Sequence, residues 1–146
     1  MAAIDSGKRV MSGTHGYLWC DGELIAETTK FTAKYTATKE AVTFSGQMME
    51  DTKTMGVKGT GSVAIQKVFS RFRDVVDAMA RGEDKRVTFV SNLSDPDAYG
   101  AERVAIYNVS FDEATITDWE HKVLSKIETP FTFTDHKYLE SVEAAT

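Results

Sequence analysis

The sequence is poor in cysteine and proline and lacks any long apolar run. Its 146 residues include one cysteine, Cys20, and two prolines. A single thiol cannot close a disulfide within the chain, and so few prolines exclude collagen-like and proline-rich low-complexity architectures. No window approaches the roughly 18 consecutive apolar residues of a membrane-spanning helix, and no apolar signal core follows Lys8 and Arg9. We therefore expect a chain that folds in a reducing compartment without stable membrane insertion.

An excess of basic residues is also missing. Seventeen Lys and Arg residues face 22 Asp and Glu residues, which gives a formal net charge of −5. This balance does not supply the basic surface that tight, general nucleic-acid binding requires. The length, with 42% hydrophobic and 27% charged residues, predicts one globular domain over residues 1–146.

Alternation of apolar and polar residues dominates what is present. Tyr17–Cys20 is a short apolar run, and Asp21-Gly22 tolerates the positive φ of a tight turn, so the pair predicts a β-hairpin. The returning arm over residues 23–38 has one wet face and one apolar face. Later segments of the same kind predict further strands at residues 58–66, 86–92, 103–111 and 122–133.

Residues 39–58 lack that alternation and also lack helical spacing. We interpret them as a long loop, and loops of this length in compact domains are usually functional or disordered. Met48, Met49 and Met55 would give it adaptable apolar contacts with a partner, while a mobile surface loop is the alternative. The chain ends, residues 1–15 and 139–146, are interpreted as an N-terminal arm and a short acidic tail.

One segment carries helical periodicity. Phe69, Phe72, Val76 and Met79 recur at spacings that place them on one face, and Gly82 follows as a C′ residue. The pattern predicts an amphipathic helix over residues 68–81 whose four apolar side chains pack against a sheet. The predicted fold class is mainly β (α+β): an antiparallel β-barrel or sandwich with one flanking amphipathic helix.

The glycines of Gly59-Thr-Gly61 formally fit a dinucleotide-binding fingerprint that ends at Ala64. That fingerprint needs a buried strand before it and a helix opening on its second half, so that amide groups meet the pyrophosphate. A polar, Met-rich segment precedes it here, and residues 62–66 have the pattern of a strand. A small nucleotide-binding enzyme built on Gly59 and Gly61 stays as the alternative from another functional class.

No other residue set indicates catalysis or metal binding. The three histidines are far apart and lack metal-ligand spacing. Asp95-Pro-Asp97 starts like a calcium loop but is followed by the wrong residues at later ligand positions, so it is interpreted as a turn. Cys20 stands beside Asp21, whose charge raises a thiol pKa, and is interpreted as a packing residue. We expect no enzyme activity, no cofactor and no metal site.

Taken in order, these features resemble the XkdM-like family of tail tube proteins from contractile-tailed phages and phage-tail-like particles. The similarity covers nearly the whole chain and depends on the shared order of several short motifs. These are Ser12-Gly13, Gly16-Tyr17-Leu18-Trp19, Asp21-Gly22-Glu23, Gly46, Lys53-Thr54, Gly56, Gly59-Thr60-Gly61, Lys67-Val68, Ser70-Arg71-Phe72, Glu102-Arg103-Val104, Tyr107, Val109-Ser110-Phe111-Asp112 and Glu128-Thr129-Pro130-Phe131-Thr132-Phe133.

The resemblance implies a structural protein that assembles as hexameric rings stacked into a hollow tube inside a contractile sheath. Other copies of the chain, the tail sheath, baseplate, tail terminator and tape measure proteins are the implied partners, and DNA passes through the lumen without specific binding. The implied location is the tail of a virion or phage-tail-like particle assembled in the bacterial cytoplasm. A tube protein of a phage-tail-like bacteriocin or of a type VI-like injection system is the alternative within the same fold.

Within this implied tube, the long loop is the expected contact between subunits or rings. Its candidate contact residues are Met48, Met49, Lys53, Met55 and Gly56. A loop that orders on assembly would suit this role. Sheet edges that invite aggregation in a monomer would be closed by the rotational symmetry of a ring.

Overall fold

The computed structural model describes residues 5–68 and 70–143. Within these ranges the chain forms two short 3-10 turns, eight strands and one helix. The turns are Gly7–Arg9 and Gly13–His15, and the strands and helix are, in chain order, β1 (Gly16–Cys20), β2 (Glu23–Leu24), β3 (Thr28–Val42), β4 (Asp51–Gln66), α1 (Arg73–Ala80), β5 (Arg86–Leu93), β6 (Glu102–Phe111), β7 (Lys126–Phe133) and β8 (Asp135–Glu140).

All strands join one antiparallel sheet in the order β2-β1-β5-β6-β7-β4-β3, and β8 pairs with β6 beyond the end of β7. The sheet curls, because Phe31 of β3 reaches Phe89 of β5 with 5.5 Å between ring centroids. Phe31 also stacks on Phe131 of β7 at 5.7 Å. The predicted mainly-β antiparallel fold with one flanking helix is confirmed.

The core lies inside the curl and is rich in phenylalanine. Phe89 and Phe131 are fully buried at its centre, and Phe111 contacts both rings. Helix α1 covers one end through Val75 and Ala78, which are buried. Burial of each large apolar side chain stabilises the fold by about 1.5–3 kcal/mol, so this cluster accounts for much of the driving force.

The predicted first hairpin is confirmed at Asp21-Gly22, where both residues have positive φ. The prediction that the returning arm, residues 23–38, forms one continuous strand is wrong. The chain leaves β2 after Leu24 so that Ile25, 2% exposed, can enter the core and donate its N–H to the Leu18 carbonyl at 2.8 Å. It then starts β3 at Thr28 as a separate strand.

The predicted long loop over residues 39–58 is wrong in extent. β3 continues to Val42 and β4 begins at Asp51, so only residues 43–50 form the connection. Lys39 pairs with Thr54 and Val42 with Asp51. The two strands lack alternation here because residues 51–58 and nearly all of 34–42 are exposed on both faces. A strand without a buried face has no reason to carry a period of two.

The helix is shorter than the predicted 68–81 range. It begins at Arg73, with Phe72 in the N-cap position, and ends at Ala80. The buried valine is Val75, whereas Val76 is half-buried at the rim of a cleft. Phe72 and Met79 pack partly buried against the core, and Phe69 lies outside the described residues. The core-facing side of the helix is therefore centred on Val75 and Ala78 and not on Val76.

Two boundaries near the end of the chain also differ from the predictions. β7 begins at Lys126 and not at residue 122, because Lys122 has φ of 64° in a turn that ends before the strand. Leu139 and Glu140 belong to β8, and Glu140 pairs with Arg103 of β6, so the predicted tail over residues 139–146 starts inside a strand. Residues 144–146 lie outside the described range. In the described part of the chain, no helix is long and apolar enough to cross a membrane.

Candidate assembly interfaces

The β3–β4 hairpin extends far beyond the body of the fold. Gly59 is the last β4 residue that pairs with β7, and its partner on β3 is Tyr35. Residues 36–58 therefore form a two-stranded ribbon, which we call the hairpin arm. Seven strand residues on the β3 side give it a length of roughly 24 Å. A two-stranded ribbon without a third strand has little stability of its own, so the arm is suited to gaining partners.

The tip of the hairpin arm is apolar as well as exposed. Met48 and Met49 are 102% and 85% exposed, and Phe44, Met55 and Val57 exceed half exposure. Met55 is the extra residue of a bulge, since Thr38 pairs with Gly56 and Lys39 with Thr54. Exposed apolar patches of this kind mark interaction sites in folded proteins.

All five residues proposed from the sequence for inter-ring contact are found on the hairpin arm. Met48 and Met49 lie in its connecting loop, while Lys53, Met55 and Gly56 lie on β4. Lys53 faces Glu40 across the ribbon in register. The structure thus brings the five residues together on one projection, on a strand pair where a loop was predicted.

A second surface lies on the outer face of β1, β5 and β6. Tyr17, Asn92 and Arg103 lie opposite one another on the three strands. Trp19 lies two residues farther along β1, on the same face. The Tyr17 and Trp19 rings are 6.2 Å apart, and the Arg103 guanidinium lies 5.6 Å over the Trp19 ring. We call Tyr17, Trp19 and Arg103 the aromatic patch. Tyr17 keeps about half of its surface in solvent, at 51% exposure.

A third surface is the segment between β6 and β7, residues 112–125, which we call the acidic loop. It presents Ile116, Trp119 and Leu124 at 78%, 73% and 88% exposure. Its four carboxylates make no ion pair within the described residues. Its first part borders an apolar cleft of about 180 Å³ beside α1, lined by Phe72, Val76 and Ile116 among others.

An ion-pair cluster fixes the chain that leads into α1. Arg71 donates to Glu27 through Nε at 2.6 Å and Nη2 at 2.9 Å, and to Glu23 through Nη1 at 2.7 Å. The bidentate geometry matches guanidinium and carboxylate. Hydrogen bonding to Arg71 lowers the pKa of the Glu27 carboxyl. The cluster holds the helix start against the β2–β3 connection.

Asp95 ties the N-terminal arm to the β5–β6 connection. Its carboxylate accepts the backbone N–H groups of Asp97 at 2.9 Å and of Ser12 at 2.8 Å. These two donors lower the pKa of Asp95. The carboxylate is thereby used within the turn expected from the sequence. In the described residues, no group of three or more His, Cys, Asp or Glu side chains is arranged to hold a metal ion.

The glycines of the dinucleotide-like motif have a packing role in β4. A Cβ on Gly59 would lie 2.6 Å from the Phe133 carbonyl oxygen, and one on Gly61 would meet Thr32 O and the Phe131 ring. The two aromatic rings occupy the space that side chains would need. The motif lies within a continuous strand, and no helix follows its second half until Arg73.

Cys20 is partly buried against the core, as a packing residue. Burial, with Asp21 as a smaller cause, raises the pKa of its thiol to about 11. A thiol of this kind is almost fully protonated near neutral pH and is a poor nucleophile.

Sequence reasoning missed the aromatic patch and the acidic loop as surfaces. A signal for the patch was present, since alternation places Tyr17 and Trp19 on one face and Leu18 and Cys20 on the other. The position of Arg103 over Trp19 depends on strand pairing across β5, which no local pattern encodes.

Together, the curled antiparallel sheet, the covering helix and the exposed apolar projections are typical of a β protein that associates through its surfaces. Residues 4–140 match the family described as phage tail tube protein. YqbM of Bacillus subtilis (strain 168) is 35% identical over 141 residues, covering 94% of this chain and 95% of YqbM. The phage-like element PBSX protein XkdM of the same organism is 36% identical over 132 residues, covering 88% and 89%.

A similar fold occurs in the cryo-EM structure of the anti-feeding prophage baseplate, symmetrised 6-fold. The TM-score is 0.63 over 95% of this chain and 97% of that chain, at 10% sequence identity. This identity supports a shared fold alone. The family match and the two relatives establish membership, and the chain belongs to the phage tail tube protein family. The expected resemblance is confirmed.

Proposed function

We propose that the chain assembles into hexameric rings that stack as the inner tube of a contractile tail, through which DNA leaves the particle. The observation that carries the proposal is the hairpin arm, an exposed ribbon of roughly 24 Å with Met48 and Met49 at its tip. In a single subunit this ribbon is exposed to solvent. Contact with a neighbouring ring would bury it.

The contact that we assign to the arm uses Met48, Met49, Lys53, Met55 and Gly56. Methionine adapts to irregular apolar surfaces, and the Met55 bulge increases the local twist of the ribbon. Gly56 has no neighbouring atom within 4 Å of an added Cβ, so its surroundings are open in the single subunit. Assembly would bury this region and order it.

The remaining elements of the proposal follow from family membership. Tail sheath, baseplate, tail terminator and tape measure proteins are the proposed partners. The acidic balance of −5 suits a conduit, because lysine and arginine along a lumen would retain DNA through counterion release. The proposed site of action is the tail of the particle, and assembly takes place in the bacterial cytoplasm.

A second candidate is the tube of a phage-tail-like particle that carries no phage genome. The similarity to a protein named after the phage-like element PBSX, and the fold shared with a chain of the anti-feeding prophage, favour it. Neighbouring genes separate the two candidates. Capsid and terminase genes beside tail genes support a phage tail, and tail genes without them support a bacteriocin or injection particle.

Electron microscopy of the concentrated protein tests the proposal. We expect hollow tubes or six-fold rings in negative stain, and a strictly monomeric species at high concentration would contradict it. A shortened variant in which Asn-Gly replaces residues 39–55 closes the ribbon directly after Thr38. It should fold and form rings that do not stack. Normal tubes from this variant would contradict the inter-ring role of the arm but would still support tube formation by the chain.

A matched pair of point variants tests the residues at the tip. Met48→Asp with Met49→Asp places two charges in the proposed apolar contact and should reduce tube length severalfold. Lys30→Asp, an exposed change on β3 outside the arm, provides the control and should leave tube length unchanged. Equal tube lengths for the tip variant and the wild type would contradict the assigned contact residues.

A further inference from the structure

The aromatic patch contains a cation, Arg103, that has no ion-pair partner among residues 5–68 and 70–143. The Nε of Arg103 is buried and has no hydrogen-bond partner. No carboxylate in the described residues lies within ion-pair distance of its guanidinium. The guanidinium instead lies over the face of the Trp19 ring. A buried N–H without an acceptor is costly, and a carboxylate that pairs with the same guanidinium would offset part of this cost.

The residue types of the aromatic patch are those that carry binding energy in protein interfaces. Tryptophan, tyrosine and arginine are enriched among interface hot spots, and they are arranged here side by side on a rigid sheet. The stacked cation is oriented by the Trp19 ring, which reduces the entropy lost when it binds a carboxylate. The patch therefore fits a segment that has both carboxylates and large apolar side chains.

The same chain presents such a segment in the acidic loop. Trp119 and Leu124 are largely exposed, and Asp118 and Glu120 stand on either side of Trp119. None of these carboxylates has an ion-pair partner within the described residues. The charges and the apolar side chains of the two surfaces are thus complementary, and both surfaces lack partners.

The two surfaces cannot meet within one subunit. Arg103 lies near the start of β6, and the acidic loop leaves from the end of β6 at Phe111. Eight residues of extended strand separate these points by roughly 27 Å. The loop ends at Lys126, which lies five residues farther from Arg103 because Phe111 pairs with Phe131. The seven residues from Trp119 to Lys126 are too few to span that combined distance. A contact between them must join two copies, and it is heterologous, because different surfaces of each copy take part. Heterologous contacts generate closed rings or open filaments.

We propose that the acidic loop of one copy docks on the aromatic patch of the next. In this contact Asp118 or Glu120 accepts hydrogen bonds from Arg103, and Trp119 packs against Tyr17. This inference rests on the proposed ring assembly and names a contact within it that is separate from the hairpin arm. The partner is a second copy of this chain.

Cysteine cross-linking tests the contact directly. In a Cys20→Ala background the chain has no other cysteine, so Tyr17→Cys with Trp119→Cys introduces the two reactive positions. Disulfides need Cα atoms within about 7 Å, which the two positions cannot reach within one copy. Mild oxidation of assembled protein should give a ladder of covalent multimers on non-reducing gels. The control pair, Tyr17→Cys with Glu83→Cys, should stay monomeric. The absence of a ladder from assembled protein would overturn the proposal.

Charge exchange provides a second measurement. Arg103→Glu should reduce the number of rings and tubes at least tenfold at equal protein concentration, and adding Asp118→Lys with Glu120→Lys should restore most of them. Arg73→Glu makes the same charge change at an exposed site and should leave assembly intact. If wild-type protein forms tubes and Arg103→Glu forms them equally well, this contact is wrong while the proposed function stands. If wild-type protein forms neither tubes nor rings, the proposed function itself fails.

Discussion

The Arg71 guanidinium and the Glu27 carboxylate form a two-point contact that joins the approach to α1 with the start of β3. The N–O distances are 2.6 and 2.9 Å, and the two side chains are 12% and 6% exposed. Because both groups are largely desolvated, each depends on the other for hydrogen bonding. Glu23 adds a third bond from a position that is 74% exposed.

Removing the charge of Glu27 should therefore destabilise the subunit. We expect Glu27→Gln to lower the free energy of unfolding by about 2–3 kcal/mol, since it weakens charged hydrogen bonds at a desolvated guanidinium. The matched variant Glu23→Gln removes an exposed partner and should cost under about 1 kcal/mol. Urea denaturation of the three proteins measures both values. Equal losses from the two variants would contradict the importance of burial at Glu27.

The same contact predicts a pH dependence. Arg71 lowers the pKa of Glu27 from its ordinary value of 4.5, so the unfolded chain binds this proton more tightly than the folded one. The stabilisation is therefore fully present above the unfolded value and is lost as the pH falls through the lowered folded value. The difference in stability between wild type and Glu27→Gln should be constant from pH 6 to 8 and shrink below pH 4.5. A difference that grows in acid would contradict the assigned sign.

Substitution of Gly61 should be costly, whereas substitution of Gly56 should not. A Cβ at Gly61 would meet the Thr32 carbonyl oxygen and lie 2.6 Å from Phe131 Cζ, while Gly56 has nothing within 4 Å. We expect Gly61→Ala to destabilise the subunit by about 2–3 kcal/mol through overpacking, and Gly56→Ala to change stability by no more than about 0.5 kcal/mol. Thermal unfolding compares the two. Neither variant should alter affinity for NAD or ATP, so micromolar binding lost on Gly61→Val would revive the nucleotide-binding alternative.

The Cys20 thiol should react slowly. Burial and the nearby Asp21 raise its pKa to about 11, so at pH 8 the thiolate fraction is roughly a hundredfold below that of a free cysteine. Reaction with a thiol reagent should be correspondingly slow in the folded subunit and fast in urea. A rapid reaction in native buffer would show that Cys20 is more open than its packing indicates.

The sequence pattern predicts the fold well wherever a strand has one buried face. β5 and β6 match their predicted ranges closely because core residues such as Phe89 and Val109 alternate with less buried neighbours. The hairpin arm could not be predicted in the same way, because both of its faces meet solvent. Register pairing with the partner strand holds it extended, and that pairing leaves no trace in hydropathy.

The candidate interfaces also differ in whether they could be predicted from the sequence. Met48, Met49 and Met55 could be singled out from the sequence, since exposed methionines in a polar stretch indicate a docking segment. The aromatic patch could not, because it is assembled from β1 and β6 with β5 between them. Helix α1 is an intermediate case, because the pattern correctly places Phe72 and Met79 against the core but selects Val76 where the structure buries Val75.

The absence of a third strand beside the hairpin arm gives its amides a distinct kinetic role. Hydrogen bonds of residues 39–54 are supported by one neighbouring strand and by little buried surface, so they open locally without unfolding the body. Their amide protons will exchange with solvent far faster than those of β6 in a free subunit. Once a neighbour covers an arm, these amides can exchange only after the contact dissociates. Their exchange rate in the assembly would therefore measure the lifetime of that contact.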